Sequence, residues 1–181
     1  QFPLLTSIII NAANGNDAIT GSDAFAESIS GGDGADTIIG NGGNDTIDAG
    51  DGNDTVRGDA GNDTIDGGFG DDKIAGDLGN DAIYGNLGND TIKGDDGNDY
   101  IDGGSGADLI RGGTGNDRIV GGLGRDTVLG DEGNDTLAGN NDADIVIGGA
   151  GTDVIQGNGG VDTLTGGNGA GSAPPASDRD S

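Results

Sequence analysis

One aliphatic residue in every nine sets the hydrophobic pattern of this chain. From Gly31 to Thr165 the sequence consists of fifteen consecutive nine-residue blocks, and the eighth position of every block is Ile, Val or Leu. Polar residues often flank that position, as in the triplet Thr46-Ile47-Asp48. Because side chains alternate between the two faces of a strand, the triplet predicts a short strand whose middle residue faces inward. Apolar residues do not recur three and four positions apart, so the pattern predicts no helix.

The other six positions of each block are rich in residues that form turns. Glycine occupies the first and fourth positions in fourteen blocks each, with Ala49 and Asp142 as the exceptions, and the sixth position is Asp in all fifteen. The large apolar residues at the third position are expected to cover neighbouring turns; they are Phe69, Leu78, Leu87 and Leu123. Six turn residues followed by three strand residues need two blocks to complete one circuit of the chain. We therefore predict an all-β fold, a right-handed parallel β-roll (a solenoid) of nine-residue repeats with two blocks per coil.

The repeat divides the chain into three parts. Residues 1–30 are predicted to be an N-terminal cap with degenerate repeats, residues 31–165 the fifteen-block roll, and residues 166–181 a degenerate turn with a disordered tail. Within the first part, residues 21–30 form a ten-residue unit with Glu27 in the position of the repeated Asp. The apolar run at residues 1–11 allows two interpretations, the end of a signal peptide or a strand that caps the solenoid, and we favour the capping strand.

The composition of the chain is that of a polyanion with very little core. Its 181 residues include 43 Gly, 33 Asp and Glu, and 7 Lys and Arg, which gives a formal net charge of -26. Such a composition is typical of disorder, but a flexible linker has no need of a strict nine-residue register. The charge argues against electrostatic binding of nucleic acid or an anionic membrane surface, and no stretch is long and apolar enough to span a bilayer.

The question is then what holds the coils together. One aliphatic side chain per block is too little to offset the conformational entropy of nine ordered residues, and stacked carboxylates repel one another. The sequence contains no Cys, so disulfides are not available. A bound cation would both cancel the repulsion and link the turns.

The residue inventory argues against an enzyme. The sequence has no His and no Cys, which excludes a Ser-His-Asp triad, a thiol nucleophile and a histidine-containing zinc site. Only Glu27 and Glu132 are glutamates, and neither has the spacing that an EF-hand loop requires. We expect no catalytic activity from these residues, although a domain outside this sequence could be enzymatic.

The block pattern GGxGxDxUx, where U is a large aliphatic residue, resembles the RTX, or haemolysin-type, calcium-binding repeat. The resemblance covers residues 12–165, with contiguous matches such as GDAGNDTID and GDLGNDAIY. It implies that the six-residue turns bind Ca²⁺ and that the triplets form a parallel β-roll. It also implies an extracellular protein that a Gram-negative bacterium secretes by a type I system.

The chemistry of the repeated residues agrees with that resemblance. Ca²⁺ prefers six to eight hard oxygen ligands, which Asp carboxylates and glycine-turn carbonyls supply. Turns two blocks apart stack on the same edge, so Asp45 and Asp63 are expected to share one ion, and Asp63 and Asp81 the next. The candidate ligands, together with turn backbone carbonyls, are Asp17, Asp36, Asp45, Asp54, Asp63, Asp72, Asp81, Asp90, Asp99, Asp108, Asp117, Asp126, Asp135, Asp144, Asp153 and Asp162.

Counting the intervals between stacked blocks predicts the number of ions. Eight odd-numbered and seven even-numbered blocks give seven and six intervals, hence several Ca²⁺ ions, up to about 13. Even-numbered blocks carry more Asn and Asp at the second and fifth positions, so we expect their edge to bind Ca²⁺ more tightly. On the odd edge, Arg125 and Asp142 mark expected weak points.

These observations predict a calcium-binding RTX module of a secreted bacterial protein that folds on binding Ca²⁺ outside the cell. Its partners are expected to be calcium ions, and the module is expected to be monomeric and attached to an effector domain or to other repeats. Two alternatives stay open: the C-terminal part of a type I-secreted toxin or hydrolase (haemolysin, metalloprotease or lipase), and an adhesin or surface-layer spacer.

Overall fold

The computed structural model describes residues 8–167, and within that range the chain forms only strands and turns. Odd-numbered strands make up sheet A: β1 Ile8–Asn14, β3 Glu27–Asp33, β5 Thr46–Asp51, β7 Thr64–Phe69, β9 Ala82–Leu87, β11 Tyr100–Ser105, β13 Arg118–Leu123, β15 Thr136–Asn141 and β17 Val154–Asn158. Even-numbered strands make up sheet B: β2 Ala18–Thr20, β4 Thr37–Ile39, β6 Thr55–Ala60, β8 Lys73–Leu78, β10 Thr91–Asp96, β12 Leu109–Thr114, β14 Thr127–Glu132, β16 Ile145–Ala150 and β18 Thr163–Thr165.

Successive strands alternate between the two sheets, and every pairing is parallel. Each strand pairs with the strand two further along the chain, so Ile47 lies beside Ile65 in sheet A and Ile92 beside Ile110 in sheet B. The register in the repeat region is eighteen residues, as in those two pairs. The predicted parallel roll with two blocks per coil is confirmed.

The strands are longer than the sequence pattern predicted. A three-residue strand was expected after a six-residue turn, but most strands have six residues and continue through the first three positions of the next block. In β7, for example, Thr64–Asp66 form the predicted strand and Gly67–Phe69 extend it. The extension forms because the second and third positions also pair between coils, as Gly50 does with Gly68. Each turn is therefore confined to positions four to six.

The core is a pair of aliphatic columns between the two sheets. The eighth-position side chains face inward and their neighbours in the strand face outward, as predicted; Ile92 is completely buried, whereas Lys93 is exposed. The buried apolar residues are Ile19, Ile29, Ile38, Ile47, Ala49, Val56, Ile65, Ile74, Ile83, Ile92, Ile101, Ile110, Ile119, Val128, Leu137 and Val146. Each strand contributes at most one large buried aliphatic side chain, with Ala49 as a small addition in β5. The interior is therefore thin, and the backbone ladders surround it on both sides.

The N-terminal units belong to the same solenoid. Strand β1 is the edge strand of sheet A and pairs with β3 at an offset of nineteen residues, which accommodates the ten-residue unit. Ile8–Asn14 is the described part of this N-terminal region, and the interpretation of residues 1–30 as a cap with degenerate repeats stays a prediction. The predictions for residues 1–7 and for the tail from residue 168 lie outside the described residues. No helix in residues 8–167 is long and apolar enough to cross a membrane.

One expectation about the surface was wrong. Large apolar residues at the third position were expected to cover neighbouring turns, but Phe69, Leu78, Leu87 and Leu123 are 59%, 55%, 46% and 53% exposed. They project outward because the third position continues the strand, where alternation turns it to the outer face.

Candidate metal centre

Two backbone positions in each block have positive φ, the second and the fourth. In the fifteen blocks, the second position is Gly, Asn or Asp, and the non-glycine examples such as Asn41, Asp77 and Asn158 have φ near 70°. The fourth position is Gly with larger positive φ, and Asp142 replaces it with φ 72°. Asn and Asp tolerate this left-handed region better than other side chains. The Asn and Asp residues at the second position therefore support the backbone conformation. From the sequence they were interpreted only as a sign of tighter Ca²⁺ binding.

The sixth-position Asp side chains point into the roll and connect successive coils. Asp36 to Asp153 are all 4% exposed or less, and Asp162 is partly buried. The Oδ1 of each accepts the backbone N–H of the residue that occupies the same position one coil earlier. Asp63 N donates to Asp81 Oδ1 at 2.8 Å, and Asp72 N donates to Asp90 Oδ1 at 2.9 Å. These hydrogen bonds form a ladder along each edge of the solenoid.

The second carboxylate oxygen has no partner. Oδ2 is buried and makes no hydrogen bond in all fifteen Asp residues from Asp36 to Asp162. In the fourteen blocks that begin with glycine, Oδ2 lies against that glycine. A Cβ built on Gly40 would be 2.6 Å from Asp45 Oδ2 and 2.7 Å from the carbonyl oxygen of Gly58 in the next coil. Glycine at the first position thus leaves room for the Asp Oδ2 and the carbonyl oxygen of the next coil to approach each other. A buried anionic oxygen at this point is unfavourable unless a cation or a proton neutralises it.

Carbonyl oxygens of the turns are a second group of free acceptors. In the described chain, the carbonyls of Gly43, Gly61 and Gly79 accept no backbone hydrogen bond, whereas third-position carbonyls such as that of Ala60 do. These glycine carbonyls stack on one edge, one coil apart. Carboxylate and carbonyl oxygens together are the ligand types that Ca²⁺ prefers.

The electrostatics of the Asp columns favour loss of charge when no metal is bound. Burial raises the pKa of Asp72, Asp99 and Asp108 to about 7, against the opposing effect of the hydrogen bond from the backbone N–H, and the stacked carboxylates add a further increase. The same causes raise the pKa of Asp63 and Asp135 to about 6. A divalent cation removes this penalty because it favours the ionised form.

The structure brings the predicted ligands into two columns, one on each edge. Asp17 stands at the N-terminal end of its column, where its N–H donates to Asp36 Oδ1 at 2.8 Å. No group of three or more acidic, His or Cys side chains converges on one point within residues 8–167. A metal ion would therefore need backbone carbonyl ligands as well as Asp carboxylates, and both were included among the candidate ligands predicted from the sequence.

Glu27 occupies the Asp column, as its place in the repeat predicted: its N–H donates to Asp45 Oδ1 at 2.7 Å, and its carboxylate accepts from Ser22. One part of this arrangement was missed in the sequence. On the even edge, fifth-position Asn residues form their own ladder from Asn44 to Asn134, in which, for example, Asn98 N donates to Asn80 Oδ1 at 2.8 Å. The run of Asn at every eighteenth residue was the available signal for this ladder.

A comparison of the sequence with protein-family models identifies five matches to the RTX calcium-binding nonapeptide repeat (4 copies), over residues 23–56, 48–83, 76–110, 102–137 and 138–172. The chain belongs to the RTX calcium-binding repeat family. A search of curated proteins gives no significant match. The RTX turns of this chain supply buried carboxylate oxygens without partners and free backbone carbonyls, so the residues present fit the ion for which the family is named.

Proposed function

We propose that this RTX roll is a calcium-dependent folding module of a protein secreted by a bacterium. The observation that supports the proposal best is the set of fifteen buried Asp Oδ2 atoms without hydrogen-bond partners. Fifteen such anionic oxygens around a one-residue-thick core make the folded state unfavourable without a counter-charge. Below micromolar Ca²⁺ the chain would be an expanded polyanion, and millimolar extracellular Ca²⁺ would fold it.

The sixth-position Asp residues and the turn carbonyls are the proposed ligands. When bound, Ca²⁺ supplies positive charge that links neighbouring turns and offsets their repulsion. Because Oδ1 of each Asp already accepts a backbone N–H, Oδ2 is the oxygen left to face the ion. First-position glycines such as Gly40 keep the space beside Oδ2 open.

The proposed stoichiometry is several ions per chain, up to about 13 if every interval between stacked blocks is filled. We retain the proposal that the even edge binds more tightly. Its Asn ladder from Asn44 to Asn134 is continuous, whereas on the odd edge Ala107 and Arg125 interrupt the corresponding positions. A more regular turn loses less conformational entropy when it closes on an ion.

Family membership supports the proposed attachment to a secreted effector, and no residue of the roll bears on it. A folding switch of this kind would let the chain pass through a secretion channel while unfolded and become compact outside. Toxin, hydrolase and adhesin contexts remain alternatives that the sequence of the neighbouring domains would distinguish.

Far-UV circular dichroism of the purified chain during a Ca²⁺ titration tests the proposal. The expected result is a cooperative gain of β signal with Ca²⁺ and little gain with Mg²⁺, which is smaller and demands stricter octahedral geometry. A β signal that is already complete in metal-free buffer at pH 8, or that Mg²⁺ induces equally well, would count against it.

A further inference from the structure

The outer face of sheet A carries an open trough that none of the proposed calcium ligands lines. The trough has a volume of about 510 Å³ and follows the solenoid axis across strands β3, β5, β7 and β9. Ninth-position Asp48 and Asp66 form one wall; third-position Asp33, Asp51, Phe69 and Leu87 form the other. We call this surface the acidic trough.

Glycine creates the trough. Its floor is the second position of the odd-numbered blocks, where Gly50 and Gly68 pair between neighbouring strands and have positive φ. Without side chains there, the two walls stand apart. At the far end Asn86 occupies the same position, and its side-chain amide donates to Asp66 Oδ1.

The charge of the trough is not compensated within the described chain. All four Asp side chains are exposed, and no Lys or Arg lines the trough. Asp33 accepts a hydrogen bond from Asn14 at 2.7 Å, which is a neutral partner. Phe69 and Leu87, at the other end, are paired neighbours that leave 59% and 46% of their surfaces exposed.

Sheet B shows how a cation fits on the equivalent surface. There the second position is Asp in several blocks, and Arg57 lies across two stacked coils, with Nε 2.9 Å from Asp77 Oδ2 and a second contact to Asp59. Arg111 binds Asp131 with both Nε and a terminal nitrogen, at 2.9 and 3.1 Å. Carboxylates one coil apart can thus be bridged by a single guanidinium, and the acidic trough presents two such pairs, Asp33 with Asp51 and Asp48 with Asp66.

We propose that the acidic trough binds an extended, arginine-bearing segment of a partner polypeptide, with arginine side chains over the Asp pairs and an apolar side chain against Phe69 and Leu87. Four strands about 4.8 Å apart span roughly 14 Å, which corresponds to about five residues of extended chain. Alternate residues of such a segment face the same side, so two arginines and one apolar residue reach the trough together. The partner is recognised by charge complementarity, which guides association and register, while the apolar pair provides buried area.

A peptide titration on the full chain in saturating Ca²⁺ tests this proposal. The probe is a pentapeptide amide with Arg at the first and third positions, Leu at the fifth and Gly between, and binding is followed by chemical-shift changes of backbone amides. We expect shifts concentrated at Gly50, Gly68 and Phe69, and at least tenfold weaker binding to the Asp48→Asn, Asp66→Asn double variant. The Phe69→Ser variant should weaken binding of this peptide but leave a peptide with Gly in place of Leu unaffected.

A matched control comes from the neighbouring trough on the same sheet, which has about 390 Å³ and contains a single acid, Asp102. The Asp102→Asn variant should bind the probe as the unaltered chain does. Equal weakening by Asp102→Asn, or shifts spread over the whole roll, would mean non-specific attraction to a polyanion and would overturn the proposal. Chemical-shift changes of the trough amides that appear on raising Ca²⁺ and not on adding peptide would overturn the proposal in favour of a metal site. Retention of the calcium-induced circular dichroism signal in every variant separates these outcomes from a failure of the folding proposal.

Discussion

At the scale of single residues, the repeated Asp has two roles, one for each carboxylate oxygen. Oδ1 accepts a backbone N–H from the previous coil, and Oδ2 stays buried without a partner. The first role organises the turn even without metal, and the second makes the turn depend on a counter-charge. A substitution that preserves one role and removes the other can separate them.

Asp81→Asn is that substitution. The amide oxygen can still accept the N–H of Asp63, while the nitrogen takes the place of Oδ2 beside the carbonyl of Gly94. We expect a calcium midpoint raised roughly tenfold, equivalent to about 1.4 kcal/mol, and a less cooperative transition, because one anionic ligand is lost in the middle of the even stack. Asp17→Asn, at the partly exposed end of the odd column, is the control and should change the midpoint far less. Identical midpoints for the two variants in a circular dichroism titration would refute this role for Oδ2.

The second-position residues make a separate prediction about the backbone. Asn140 has φ 78°, so Asn140→Gly should be tolerated, whereas Asn140→Ala should lower the free energy of unfolding by about 1–2 kcal/mol because a Cβ is unfavourable in the left-handed region. Urea unfolding in saturating Ca²⁺ measures both variants. If Asn140→Gly is the more destabilised of the two, the side chain and not the backbone decides the preference at this position.

At the scale of the strands, the aliphatic column and the third-position residues differ sharply in burial. Ile92 is completely buried in sheet B, while Leu78, at the third position of its block and the end of β8, is 55% exposed. Truncation should therefore have very different costs although both side chains have the same number of carbon atoms.

Ile92→Ala should destabilise the calcium-bound roll by about 2–5 kcal/mol, since the tightly stacked coils cannot collapse around the cavity. Leu78→Ala should change stability by less than about 0.5 kcal/mol, as is usual for exposed positions. Thermal and urea unfolding at fixed Ca²⁺ compare the two. Equal losses would show that the third position also belongs to the core.

The sequence predicted the parallel pairing and the two-block coil because periodicity alone fixes which residues stack. It did not predict the length of the strands. Positions such as Gly67, Gly68 and Phe69 have turn-forming composition, yet stacking pairs the second and third positions between neighbouring coils. For the same reason the sequence pattern predicted that Phe69 and Leu87 cover the turns, and it did not predict the surface that they form. The period also indicated Asp as the proposed ligand residue, but only the structure distinguishes its two oxygens.

At the scale of the whole molecule, the stacked carboxylates link stability to pH. Burial raises the pKa of Asp72, Asp99 and Asp108 in the metal-free fold to about 7, from an ordinary value near 4. The fold therefore binds more protons than the unfolded chain between these values. Their stabilising contribution is complete below about pH 4 and is lost as the pH rises through about 7.

We therefore expect the metal-free chain to be more ordered at pH 5 than at pH 8. Circular dichroism and small-angle scattering in the presence of a chelator would measure this difference, and the Asp99→Asn variant should reduce it because one titrating group is removed. A metal-free chain that is better ordered at pH 8 would contradict the assigned burial of the carboxylates.

The central claim is that divalent metal between the turns supplies the cohesion that the thin apolar core lacks, and removal of calcium from the folded chain at pH 8 tests it most directly. On addition of excess chelator, we predict loss of the β signal and expansion of the radius of gyration toward the roughly 45 Å of an unfolded chain of this length. Restoration of Ca²⁺ should reverse both changes. A chain that keeps its β signal and its compact dimensions in chelator would contradict the account.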